Sequence, residues 1–177
     1  MSENDGQYLD AFGAWLASLG DDAEQLSAVL AEEDTSATAR QAVAGGLNYL
    51  FKSLDLIPDG IDDIGYLDDA FVLRVAASQG ASAGSAAPVL SRLGKDAELV
   101  RAFLGDNYAR LDNYVTGLRT GAARGRTVQE ILGSAKTLED FLGDVKGFGG
   151  GYHAPNFSRD PKSLIKLRAF FDAKLPR

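Results

Sequence analysis

The stretch Asp55-Leu56-Ile57-Pro58-Asp59-Gly60-Ile61-Asp62-Asp63-Ile64-Gly65-Tyr66-Leu67-Asp68-Asp69 sets six aspartates among leucine, isoleucine and tyrosine. No basic residue falls between Lys52 and Arg74. A solvated charge run does not interleave its acids with large aliphatic side chains. Two chemistries account for the pattern. The carboxylates cap helices around a buried turn, or they converge on a cation or a basic partner.

Reading outward from this turn, the flanks are helical. Upstream, Thr35 or Ser36 opens a helix with Val43, Leu47, Leu50, Phe51 and Leu54 on its apolar side. Ile57 precedes a proline and is pushed out of the α region, so this helix is expected to stop near Asp55 or Leu56. Gly45-Gly46 weakens it by roughly 1 kcal/mol per glycine, and a close helix crossing explains the choice. Downstream, Asp68-Asp69 suits the first turn of a helix carrying Phe71, Val72 and Val75.

The rest follows the same period. Tyr8, Phe12, Trp15, Leu16 and Leu19 predict a first helix stopped by Gly20, and Asp21 a second through Leu30. Residues 81–87 are Ala, Ser and Gly throughout and read as a linker between a core over 1–80 and a helical region over 88–177 packed on it. Pro88 begins a short helix through Leu93, and a longer one runs from Asp96 to Leu118. Thr127 and Glu130 form a capping box, and Thr137 to Asp140 a near match. Gly147 to Arg159 reads as a glycine-rich loop, and Asp160-Pro161 caps a last helix with Leu164, Leu167, Phe170 and Phe171. The expected class is all-α: a compact bundle of seven to eight helices with no sheet.

Tyr49-Leu50, then Asp55-Leu56-Ile57-Pro58-Asp59, then Gly65-Tyr66-Leu67-Asp68-Asp69 resembles the signature of the YkvA-like family, a bacterial domain of unknown function. The resemblance spans roughly Ala39 to Ala77 and implies a helical fold without implying an activity. Two departures stand out. Gly60-Ile61-Asp62-Asp63 replaces the family's aromatic residue and I-P pair, and Ser53 replaces a proline. Members of the family are often membrane-attached by extra apolar segments, which this sequence does not show.

Composition narrows the chemistry. The 177 residues carry no cysteine and one histidine, His153, which excludes disulfides, thiolate zinc sites, thiol nucleophiles and a multi-histidine metal centre. Met1 to Asp10 lacks the features of a signal peptide, and no apolar run reaches membrane-spanning length, so a cytoplasmic protein is expected. The net charge of −7 makes a nucleic-acid partner unfavourable. Its distribution is uneven: residues 1–100 hold Lys and Arg only at Arg40, Lys52, Arg74, Arg92 and Lys95, and beyond Arg101 bases outnumber acids. Complementary halves, meeting within the chain or across a self-associated pair, are the simplest account.

The site candidates follow. Asp55, Asp59, Asp62, Asp63, Asp68 and Asp69 are the candidate ligands for magnesium or calcium, because hard cations prefer clustered carboxylate oxygens. Asp59 with Asp62 or Asp63 would share a face if that segment were helical. The calcium-loop spacing fails, with Ile57 at position 3 and Tyr66 at position 12 counted from Asp55. Arg119, Arg124, Arg126, Lys162, Lys166 and Arg168 are the candidate contacts for an anion or a lipid. The last helix combines a basic side with apolar residues and suits an anionic membrane surface. His153 with Ser158 and Asp160 lacks a nucleophile elbow, and the glycine run lacks a phosphate-loop ending. With no acid/base pair, nucleophile constellation or cofactor motif, the leading expectation is a non-enzymatic protein-interaction module without a cofactor. A metal-binding regulator or metal-dependent hydrolase and a peripheral membrane protein stand behind it.

Overall fold

The computed structural model describes residues 2–53, 55–58, 60–61 and 64–177. The Ser2 hydroxyl accepts the Asp5 amide and Asp5 returns the bond, starting α1 (Glu3–Val29) with a capping box. It buries Tyr8, Phe12, Trp15, Leu16 and Leu19 along one side. Gly20 does not stop this helix. A side chain there would meet the Gly149 carbonyl, its Cβ lying 3.0 Å away, so the glycine serves a close helix approach and α1 absorbs the second helix expected from Asp21.

Ser36 caps α2 (Ala37–Tyr49) by accepting the Ala39 amide. This helix ends several residues before the expected stop near Asp55. Turn-like bonds from the amides of Phe51 and Lys52 to the carbonyls of Asn48 and Tyr49 close its last turn. The crossing anticipated at Gly45-Gly46 is present. A Cβ on Gly46 would lie 2.6 Å from that of Ala76 in α3 (Leu67–Ser82), and one on Gly45 would lie 3.2 Å from the Leu118 backbone.

α3 is buried along most of its length and is the centre of the bundle. Phe71 packs edge-on against Phe12 and Phe103 and stacks on Phe171 at 5.1 Å, so one ring joins four helices. The linker expected over 81–87 is shorter, because Ala81 and Ser82 finish α3 and only residues 83–87 turn the chain. α4 (Pro88–Leu104) then runs unbroken through the expected gap at 94–95. Gly94 there faces the Ser78 backbone and lets α4 lie close to α3. The break comes instead at Gly105, whose φ of +57° suits glycine.

α5 (Asn107–Gly117) leads through a 3-10 turn, Leu118–Thr120, into β1 (Ala122–Ala123) and β2 (Arg126–Thr127). This two-rung antiparallel ribbon corrects the expectation of no sheet. Arg124 and Gly125 both have positive φ, the conformation that matches strand twist in a two-residue hairpin. Thr127 and Glu130 make the expected capping box for α6 (Val128–Gly133).

Ser134, rather than Thr137, caps α7 (Ala135–Gly151), and Thr137 supplies the amide that Ser134 accepts. The glycines at 147 and 149–151 are helical, not a loop; Gly149 leaves no room for a Cβ beside Glu24 of α1. The connecting segment is only 152–160. Asp160 accepts the Lys162 amide and Pro161 opens α8 (Pro161–Lys174) as expected. Among the described residues there are thus eight α-helices, within the seven to eight expected, and no helix long and apolar enough to cross a membrane.

Candidate metal centre

Tyr66 begins the site. It precedes α3 with φ of +69°, a left-handed conformation uncommon for a tyrosine, and makes no side-chain cap bond. The turn it creates points the next residues inward: Leu67, Asp68 and Asp69 are all buried. Asp68 is fully buried and Asp69 is 2% exposed. Asp55, half-buried in the segment after α2, approaches from the other side of the turn. One carboxylate oxygen from each of Asp55, Asp68 and Asp69 lies within 4.8 Å of the others.

Asp68 bonds across the turn between the two helices. Its Oδ2 accepts the Tyr49 hydroxyl at 2.5 Å and the Ile57 amide at 3.4 Å, neither of which is a first-turn amide of α3. The Tyr49 hydroxyl in turn accepts the Leu56 amide at 2.7 Å. One phenol thereby joins the end of α2, the Asp-Leu-Ile-Pro segment and the start of α3.

Tyrosines wall the carboxylates. Burial, then the charges of Asp68 and Asp69, pushes the Tyr49 phenol far above its ordinary range. Burial, then Asp55, Asp68 and Asp69, pushes Tyr114 up to about 12. Tyr152 rises through burial and then through Asp69. Tyr152 also donates to the Leu16 carbonyl and stacks edge-on against Tyr66 at 5.3 Å, which ties the site to α1 and α7. Tyr114 packs edge-on against Tyr49 and accepts from Lys52 Nζ at 3.3 Å.

Of the six predicted metal ligands, the structure brings together Asp55, Asp68 and Asp69; Asp59, Asp62 and Asp63 lie outside the described residues. Three carboxylates supply oxygen donors only, which fits magnesium or calcium better than a softer ion. Sequence reasoning did not single out Tyr49 as part of the site. Its place in the Tyr49-Leu50 pair of the signature was the available signal.

The predicted anion contacts have the following surroundings among the described residues. Arg119 donates to Gln79 Oε1, Arg126 pairs with Asp144 at 2.7 Å, and Arg124 lies over the Phe51 ring. On α8, Lys162 and Lys166 are exposed, whereas Arg168 donates to the Phe103 carbonyl and packs over its ring. His153 is exposed, and the Ser158 hydroxyl meets that of Ser163 at 3.2 Å.

Residues 39–74 match the family model described as Protein of unknown function (DUF1232). The segment runs from the first turn of α2 to Arg74 and contains all three converging aspartates and Tyr49. This part of the chain is therefore of the YkvA-like type that the signature suggests. No curated protein and no solved structure matches the chain.

Proposed function

We propose that this protein is a helical module that holds a divalent cation, magnesium or calcium, at Asp55, Asp68 and Asp69. The observation that carries the reading is the convergence of three carboxylate oxygens within 4.8 Å, two of them from buried residues. Oxygens bound to one hard cation at about 2.0–2.6 Å stand at most ~5 Å apart, so the spacing suits a single ion. Like charges brought together in a low-dielectric interior repel strongly, and a shared cation turns that repulsion into attraction. The ion would hold the segment after α2 against the first turn of α3 and so fix the relation of the two crossing helices. Its role is to lock or regulate that turn, and the module's surface serves a protein partner.

Calorimetric titration with magnesium, calcium and manganese tests this reading. A saturable heat, with a rise in melting temperature that a chelator reverses, is expected, because a ligand that binds only the native state stabilises it. No heat and no shift at millimolar metal removes it.

A further inference from the structure

A groove of about 420 Å³ with Tyr114 in its wall opens between α5, the 3-10 turn and residues 176–177. Its charged lining side chains are Lys52, Arg110 and Arg177, in a chain whose net charge is −7. Asn113 and Tyr114 add polar atoms, and Leu118 and Pro176 add an apolar wall. The volume is that of a small-molecule site.

The three cations have different tasks. Arg110 donates to the backbone carbonyls of Asp172, Leu175 and Pro176, and it pairs with Asp172 at 3.2 Å. It is a clamp that holds residues 172–176 in place as a wall of the groove. Lys52 is half-buried, and its Nζ donates to the neutral Tyr114 hydroxyl; it forms no ion pair among the described residues. Arg177 is exposed, with Asp172 3.9 Å away. A partly desolvated ammonium facing a groove with only a phenol as partner is suited to an incoming anion.

We infer that this groove binds a small phosphate-bearing molecule, with the phosphate on Lys52 and Arg177 and an apolar or ring portion on Tyr114, Leu118 and Pro176. A phosphate rather than a carboxylate is favoured because two cations lining one groove suit an anion with several acceptor oxygens and more than one negative charge. The inference goes beyond the cation reading and does not depend on it.

The test is run in chelator, so that the outcome is independent of the carboxylate site. Inorganic phosphate, phenyl phosphate and vesicles with or without phosphatidic acid are titrated against the whole chain at low salt, by calorimetry and by sedimentation. The expected result is saturable binding of phenyl phosphate that is tighter than that of inorganic phosphate and weakened roughly tenfold or more in Lys52→Gln and in Arg177→Gln. Arg177→Gln changes an exposed residue and leaves the fold intact. Binding confined to phosphatidic-acid vesicles, with the same loss in both variants, supports the same site with a lipid headgroup as the source. Absence of binding to every probe, or binding that both variants retain, overturns the inference.

Discussion

The Tyr49 hydroxyl stands between Asp68 and Leu56, donating to the carboxylate at 2.5 Å and accepting the amide at 2.7 Å. Removing it should leave a buried acceptor and a buried donor each short of a partner. Tyr49→Phe is therefore expected to lower stability by about 1–3 kcal/mol in urea unfolding, although the ring still packs on Tyr114. An unchanged midpoint would mean that the phenol does not hold the turn.

The helix crossing makes a second prediction, with its own control. Gly46→Ala gains up to ~1 kcal/mol of helix propensity but places its methyl 2.6 Å from the Ala76 Cβ, so net destabilisation of about 1–3 kcal/mol is expected. Gly147→Ala on exposed α7 meets nothing within 4 Å and should stabilise by up to ~1 kcal/mol. Thermal melts of the two variants should move in opposite directions. If both rise, α2 and α3 are not in close contact.

A buried ion network supplies a third prediction. Asp22 pairs with Arg74 at 3.1 Å and with Arg92 at 3.1 Å, while Arg74 also reaches Asp96 at 3.0 Å and lies over Trp15. Burial pulls the Arg74 guanidinium down from its ordinary value, and the two aspartates oppose that shift. Asp22→Ala leaves part of a buried charge unbalanced and should cost about 3–5 kcal/mol. Arg92 is half exposed, and Arg92→Ala should cost no more than ~1 kcal/mol. Equal losses for the two would contradict the burial argument.

Alkaline pH gives the fourth. Raised phenol values favour the neutral form in the folded protein, so the folded state binds more protons than the unfolded state once pH exceeds the ordinary tyrosine value of about 10. Stability conferred by Tyr49, Tyr114 and Tyr152 is complete below that pH. It then falls as pH rises towards the Tyr114 value of about 12 and beyond. Phenolate absorbance should show these tyrosines ionising above the ordinary range, with a sharp rise on unfolding. Ionisation of all six tyrosines near pH ~10 would contradict their burial around the carboxylates.

The parts of this architecture set by local period and cap chemistry were legible in the sequence. Ser36, Thr127 with Glu130, and Asp160-Pro161 each begin a helix as expected. The parts set by packing were not. Gly20, Gly94 and the glycines ending α7 resemble stops when only neighbouring residues are considered. They are helical because another backbone or side chain occupies the space that a Cβ would take at Gly20, Gly94 and Gly149. Gly105 is the stop that works, because its φ is positive and nothing packs on it.

At the site, the aspartate pattern pointed to Asp55, Asp68 and Asp69 but did not separate capping from convergence. That distinction depends on where Tyr49 and Ile57 send their protons, which sequence spacing does not encode. The left-handed Tyr66 was hidden for the same reason. A tyrosine carries no sign of positive φ, and only the surrounding packing enforces it.

Terbium luminescence tests the central claim most directly. Terbium is a hard cation that takes calcium-like oxygen sites, and tyrosines Tyr49 and Tyr114 beside the carboxylates would sensitise its emission. The account predicts a saturable signal of one ion per chain under tyrosine excitation. It should be displaced by excess calcium and lost in Asp55→Asn, a change at the half-buried ligand that leaves Asp68 and its bond to Tyr49 in place. Emission that never saturates, or that Asp55→Asn leaves unchanged, would contradict a cation site at these three aspartates.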